Sequence, residues 1–378
     1  MKITDVKTMF VGNPWKNWLF VKLFTDEGIT GIGEATNGAF RTMPVEAAVH
    51  VMKPLFIGMD PRNIQEILTK IHLGINLTTT PAICGIEQAC WDILGKSLNV
   101  PVWRLLGGKT RPRIKAYANG WYRGPREPKF FAEAAKKVVA MGYKALKFDP
   151  FGDAYRFLER DEERLSLALV EAVREAVGES VDIMIEAHDR FSVSTAVTLG
   201  HKLAQYNPMW FETPVMSTDI DATIEVARRV PIPVASGERF STLREIAQLV
   251  ESKVISIVQP ELVRIGGISG MIKAAAIAEA HESYIAPHNA QSPLCTVVNT
   301  HVGAVVPNVL IQECFDDTNV SWTKDVFTFT VAVNDGFIEV SDRPGLGIDL
   351  IEEVALRHPY QDVFTLRLYE KGWERRGE

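Results

Sequence analysis

The sequence predicts an α/β protein: a (β/α)7β barrel of the TIM type, with an α+β N-terminal capping domain that the C-terminal segment completes. Three observations predict it. From residue 113 onward, short β-branched and apolar runs alternate with amphipathic helices, the pattern of βαβ units and a parallel sheet. Eight such runs follow one another, at 113–120, 143–150, 181–188, 208–214, 233–238, 254–261, 284–289 and 309–315. Eight is the number that closes a barrel, with a doubly wound sheet as the alternative. The residues ahead of 113 do not share the repeat, and neither do those after 320.

Taken in order, residues 1–112 form the cap. Residues 17–25 (NWLFVKLFT) read as a strand, Asp26-Glu27-Gly28 as a turn and residues 29–34 (ITGIGE) as the returning strand. Helical apolar spacing follows at 43–58 and 62–73, and again over 81–97 (PAICGIEQACWDILGKS). The two glycines of LLGGK, 105–109, then end the segment. Residues 113–320 form the barrel, with amphipathic helices such as 161–177 and 268–281 between strands. Residues 321–378 hold β-like, turn-rich pieces, including PGLGID at 344–349, and are expected to return to the cap.

Composition narrows the function. Apolar residues make up 46% and charged residues 23% of the 378, enough for a large core. A net charge of -6 argues against a nucleic-acid partner, which would want a basic face. The opening MKITDVKTMFVG has no apolar signal region, and no uninterrupted apolar run approaches the ~18 residues of a membrane span. Cys84, Cys90, Cys295 and Cys314 show no CxxC spacing, so neither a disulfide framework nor a zinc site is indicated. A cytoplasmic location is the simplest expectation.

The chemistry sits where the barrel strands end. Asp149, Glu186 with His188, Glu212, Glu238, Glu261, His288 and Glu313 close successive strands. From Glu186 the steps are 26, 26, 23, 27 and 25 residues, about one βα unit each. Side chains so placed converge at one mouth, where barrel active sites lie. A carboxylate ending an apolar strand such as IMIE must be paired or metal-bound, because burying it alone is costly. One such glutamate is as readily an ion-paired structural group. Three at equal pitch, Glu186, Glu212 and Glu238, offer hard oxygen ligands on one side and suit Mg²⁺. His188 lies two residues after Glu186, so strand alternation points both into the mouth. His288 closes the seventh strand beside Glu261, and a neighbouring carboxylate fixes a histidine's tautomer and raises its basicity.

These residues resemble the enolase superfamily, mandelate racemase branch, over nearly the whole chain. The resemblance rests on EGITGIGEA and AICGIEQACWDILGKSLNVPVWRLLGG in the cap, and on LKFD, IEAHDRF, WFETPV, SGERF, QPELVRIGGISG, APHNAQSP and PGLGID beyond it. Within that branch, YANGWY, GYKALKFDPFG, IEAHDRF and PHNA look most like the gluconate/galactonate dehydratases. The resemblance implies Mg²⁺ on Glu186, Glu212 and Glu238, a base dyad of His288 and Glu261, His188 as acid, and Glu313 as an electrostatic or hydrogen-bonding group. It also implies a sugar-acid substrate, such as gluconate or galactonate, and a homo-oligomer, commonly an octamer. The sequence departs from the common pattern at three points. Glu186 stands where Asp is commoner, and Thr213 where many members carry a second Glu. The second strand ends Lys147-Phe148-Asp149 rather than KxK, which weakens a two-base racemase or epimerase, the first rival reading. The second rival is a non-catalytic relative serving as a structural or binding protein, which predicts eroded ligands where all three are present here. An aldarate dehydratase of the same superfamily is a further alternative. A metallohydrolase would want more histidine ligands. Lys147 and Asp149 remain candidates for a part in the chemistry.

Specificity is expected from the cap. The stretches VGNPWKNW (11–18) and EATNGAFRT (34–42) are polar and aromatic, as sugar-binding loops are, and offer Asn13, Trp15, Asn37 and Arg41; polar surface loops look the same. Trp121, Arg190 and Arg239 stand next to mouth residues and are candidates for contacting hydroxyls or for pairing with the carboxylates.

Overall fold

The computed structural model describes residues 1–38, 42–72, 78–318, 320–362 and 367–375. The chain opens with an antiparallel sheet of β1 (Ile3–Asn13), β2 (Lys16–Thr25) and β3 (Thr30–Glu34). The expected hairpin is β2–β3, and β1 precedes it. That first strand is masked in sequence because it buries Ile3, Val6, Met9 and Val11, an uneven spacing, and its register shifts between Ile3 and Asp5. Three helices follow, Thr42–Phe56, Ile64–Ile71 and Thr79–Leu98. The last lies directly on β3. A Cβ at Gly33 would come within 2.1 Å of the Gly85 carbonyl oxygen, and one at Gly31 within 2.1 Å of that of Ala89. The alternating glycines of TGIGE therefore let a helix backbone rest on a strand.

The barrel then forms from β4 (Arg113–Ala118), β5 (Ala145–Phe148), β6 (Asp182–Glu186), β7 (Trp210–Glu212), β8 (Val234–Ser236), β9 (Ile257–Val258), β10 (Tyr284–Ile285) and β11 (Gln312–Cys314). Consecutive strands pair in parallel, β11 pairs with β4, and a bridge from Ile285 to Val309 joins β10 to the β11 segment. The sheet is closed, so the (β/α)7β expectation holds and the doubly wound alternative falls. Each expected run contains its strand but overstates it: Glu186, Glu212 and Glu313 lie within their strands, whereas Asp149, His188, Glu238, Glu261 and His288 belong to the loops that follow.

Inside, one layer is apolar: Tyr117, Ala145, Met184, Trp210, Ala235, Ile257, Ala286 and Ile311, one from each strand in turn. Strand side chains repeat every two residues. Adding two to these numbers gives Asn119, Lys147, Glu186, Glu212, Gly237, Gln259, His288 and Glu313. Alternation thus lifts Lys147, Glu186, Glu212, His288 and Glu313 to the C-terminal end above an apolar plug, whereas Glu238 and Glu261 lie in the loops just past β8 and β9.

The segment expected to return to the cap does three things. A hairpin of β12 (Val333–Asn334) and β13 (Phe337–Glu339) pairs antiparallel with β4 of the barrel. Residues 345–352 reach the cap: Gly345 bridges Pro101, Leu346 N–H donates to Asp92 at 2.8 Å, and Glu352 pairs with Lys7 and Lys22. Residues 367–375 then come back to the barrel mouth, where Trp373 Nε1 donates to Gly152 O at 2.8 Å.

A buried histidine ties the cap to this arrangement. His301, on the helix Pro293–Val305, accepts from Trp103 N–H at 3.2 Å through Nδ1 and donates from Nε2 to Leu346 O at 3.0 Å. Burial pushes its pKa down to about 4. The unfolded chain takes up this proton near pH 6.5 and the folded chain does not. The stabilisation is therefore complete above pH 6.5 and is lost as pH falls through the folded value, by up to about 3 kcal/mol. We expect urea unfolding free energies to fall less steeply between pH 6.5 and 4 in His301→Gln than in wild type. Parallel slopes would show that this group does not set acid stability.

Candidate active site

The three expected ligands converge. Glu186, Glu212 and Glu238, from the ends of β6, β7 and β8, are buried, and each brings a carboxylate oxygen within 4.8 Å of the other two. Thr213 Oγ and the His188 amide both donate to Glu186 Oε1, at 2.6 and 2.7 Å. Glu186 Oε2 is buried and accepts no hydrogen bond. Trp210 Nε1 fixes Glu212 Oε2 at 2.7 Å. Three buried carboxylates gathered this closely, with one oxygen that makes no hydrogen bond and faces only a lysine ammonium at 3.2 Å, fit a hard divalent cation, which would take such oxygens as ligands. The backbone is strained here: His188, Asp189 and Thr213 have φ of 50°, 63° and 37°. Such conformations cost about 1–3 kcal/mol each and persist where the surroundings hold them.

Lys147 stands beneath the cluster. Its Nζ lies 3.2 Å from Glu186 Oε2 and 3.0 Å from Glu313 Oε1, and it also bonds Glu212. Burial alone would lower its pKa, but Glu212, Glu313 and Glu186 outweigh it and hold the ammonium well above its usual range. Burial and the neighbouring Glu186 push Glu212 well above the carboxylate range. Burial would do the same to Glu186, but His188 and Lys147 hold it well below. Such a split is what carboxylates crowded around too little positive charge must show.

The two histidines flank this cluster. His288 turns Nε2 toward Glu238 Oε2 at 3.2 Å and Glu313 Oε2 at 3.7 Å, with Nδ1 3.6 Å from Glu261 Oε2. Burial would lower its pKa, but Glu238, Glu313 and Glu261 raise it. Glu261 is itself held by Arg264 Nε at 2.6 Å and by Gln291. Glu313 accepts from Asn119 Nδ2 at 2.7 Å and from the Asn289 amide at 2.8 Å. On the other side His188 Nδ1 meets Asp149 Oδ2 at 2.6 Å. Asp149 also receives Arg190.

Not every nominated residue faces the mouth. Trp121 packs among Tyr122, Phe131 and Phe148 and donates to Lys147 O at 2.9 Å, so it braces β5 rather than meeting a ligand. Arg190 is wholly buried, bonded to Ala187 O at 2.9 Å, to Gly152 O and to Asp149, and its place is structural. Arg239 is 37% exposed and pairs with Asp189 at the rim. In the cap, the Asn13 side-chain Oδ1 accepts from the backbone amides of Trp15 and Lys16, both at 3.1 Å, and so closes the β1–β2 turn. Trp15 stacks on Phe315, just past β11, with ring centroids 5.5 Å apart. Asn37 is buried and accepts from Gly38 N–H at 2.9 Å. Arg41 lies outside the described residues.

Other contributors were not nominated. Lys16 Nζ reaches from the cap to Ala290 O at 2.8 Å, within the loop that carries His288. Glu34 holds the same loop through the Ser292 hydroxyl and amide. Only the polar runs around them in sequence hinted at such a part.

A capped (β/α)7β barrel with three carboxylates from successive strands at its mouth is consistent with the enolase superfamily, and the family matches of both domains place the chain there. Residues 6–107 match the mandelate racemase/muconate lactonizing enzyme N-terminal domain, and residues 130–354 the enolase C-terminal domain-like family. The chain belongs to the mandelate racemase branch of that superfamily, as its motifs led us to expect. It is 35% identical to a D-gluconate dehydratase of Thermoproteus tenax, over 91% of this chain and 70% of the relative. It is 33% identical to a D-gluconate/D-galactonate dehydratase of Picrophilus torridus, over 96% and 93%. Among solved structures, a mandelate racemase/muconate lactonizing enzyme-like protein from Roseovarius sp. TM1035 superposes with a TM-score of 0.91 at 34% identity, over 98% of each chain. No helix among the described residues is long and apolar enough to cross a membrane.

Proposed function

We propose that this chain is a Mg²⁺-dependent sugar-acid dehydratase, a hydro-lyase acting on an aldonate such as D-gluconate or D-galactonate. The observation that carries this reading is the placement of two histidines, from opposite parts of the barrel rim, on either side of one carboxylate triad. The names of the relatives supply the substrate class. Glu186, Glu212 and Glu238 would hold the cation, which when bound supplies positive charge to the substrate carboxylate as C2 loses its proton.

His288 removes the C2 proton, with Glu261 stabilising the imidazolium that forms. His188 protonates the C3 hydroxyl while the C3–O bond breaks. The electron pair from C2–H first rests on the substrate carboxylate as an enediolate, then becomes the C2–C3 double bond as the hydroxyl leaves as water. The enol then tautomerises to a 2-keto-3-deoxy acid. Glu313, anchored by Asn119 and the Asn289 amide, fixes the field around His288. Lys147 stays protonated among three carboxylates, and Asp149 is engaged by His188 and Arg190. The β5 strand therefore offers no second base, which favours elimination over racemisation.

Purified protein with Mg²⁺ should convert at least one member of a panel of aldonic and aldaric acids to a 2-keto-3-deoxy product. A panel without product, with C2 deuterium exchange in recovered substrate, would move the assignment to an epimerase.

A further inference from the structure

The C-terminal tail reaches the side of the mouth on which His188 sits. Trp373 is buried, and its ring meets the His188 imidazole edge-on, with centroids 5.9 Å apart and planes at 85°. Its Nε1 donates to Gly152 O at 2.8 Å, the same carbonyl that receives Arg190. Arg190 in turn holds Asp149, and Asp149 holds His188 Nδ1. The contacts close on themselves: Trp373, Gly152, Arg190, Asp149, His188 and back to Trp373. The tail is pinned at this point. Glu374 is buried, with Oε1 3.3 Å from Arg126 Nε, and Arg126 Nη2 donates to Pro150 O at 2.7 Å in the loop that follows β5.

Asp149 fixes one nitrogen of the imidazole but leaves the ring free to rock about that bond. An aromatic ring at a right angle removes that freedom and keeps water from the flank it covers. Among the described residues no aromatic ring packs on His288, whose loop is held by the cap through Lys16 and Glu34. The two halves of the proposed reaction are thus supported by separate parts of the chain.

We infer that Trp373 is a positioning residue for His188, so that the C-terminal tail governs departure of the C3 hydroxyl but not removal of the C2 proton. This rests on the dehydratase reading above. A misplaced proton donor slows its own step by roughly 100-fold, and the step before it continues.

The test runs full-length protein with Mg²⁺ in deuterium oxide, on the aldonate that wild type dehydrates. It measures 2-keto-3-deoxy product and deuterium at C2 of recovered substrate. Failure of wild type to dehydrate any acid would defeat the functional reading itself. Given an active wild type, Trp373→Ala should lower dehydration by about 10- to 100-fold and raise exchange per turnover, in the direction His188→Asn takes further. Trp373→Phe keeps a ring edge against His188 and loses only the bond to Gly152, so it should recover most of the dehydration rate. If the alanine variant fails to fold, Trp373→Leu, which keeps apolar volume but no ring against His188, takes its place. Dehydration and exchange falling together, or neither changing in a folded variant, would overturn the inference.

Discussion

Replacing His288 by Asn is expected to lower kcat by roughly 10³- to 10⁴-fold and to abolish C2 exchange as well, because no proton then leaves the substrate. Asparagine is close to histidine in polarity and shorter, so it leaves the triad intact. Mg²⁺ affinity, read by titration calorimetry, should stay within a few-fold of wild type. The separation follows from geometry. His288 touches Glu238 only through Nε2 at 3.2 Å, and Glu238 keeps its neighbours Glu186 and Glu212 without it. The two histidines also divide the outcome. Losing His188 should leave exchange running, whereas losing His288 should stop both. A His288→Asn enzyme that still exchanges deuterium at C2 would remove His288 from the base role.

The strand-end residues were legible in the sequence because a barrel strand is short and its alternation strict. Glu186 and Glu212 sit two residues beyond Met184 and Trp210 of the apolar layer, so the period that buries one set aims the other at the mouth. The alternation fails once the chain leaves the strand. His188 and Asp189 take left-handed conformations, and this turn sends Arg190 back beneath the loop, where adjacency in sequence had suggested the mouth. Trp121 fails for a related reason: β4 ends at Ala118, and the ring folds against the helix Pro128–Ala140 and β5. Trp373 could not have been found by period or spacing. It reaches His188 from 185 positions away in sequence, on a tail without regular alternation. Long-range contacts of that kind are decided by tertiary packing and leave no local pattern.

Lys147→Met should be the most destabilising single change at this site, and the effect should depend on Mg²⁺. The ammonium lies against Glu186, Glu212 and Glu313, all buried. Methionine preserves much of the volume and removes the charge. Stranding buried carboxylates without their partner is expected to lower unfolding free energy by about 3–5 kcal/mol. Metal binding adds stability by mass action, about 2.7 kcal/mol at 100 times the dissociation constant. In wild type a bound cation would compete with a lysine already neutralising oxygens of Glu186 and Glu212, and in the variant it would not. The increment in stability on adding Mg²⁺ should therefore be larger for Lys147→Met, measured by urea unfolding with Mg²⁺ and with chelator. Equal increments would mean that lysine and cation do not share this charge. A variant as stable as wild type in chelator would mean that the carboxylates do not need Lys147. A lysine dispensable for stability on this face would then be available as the second base of an epimerase.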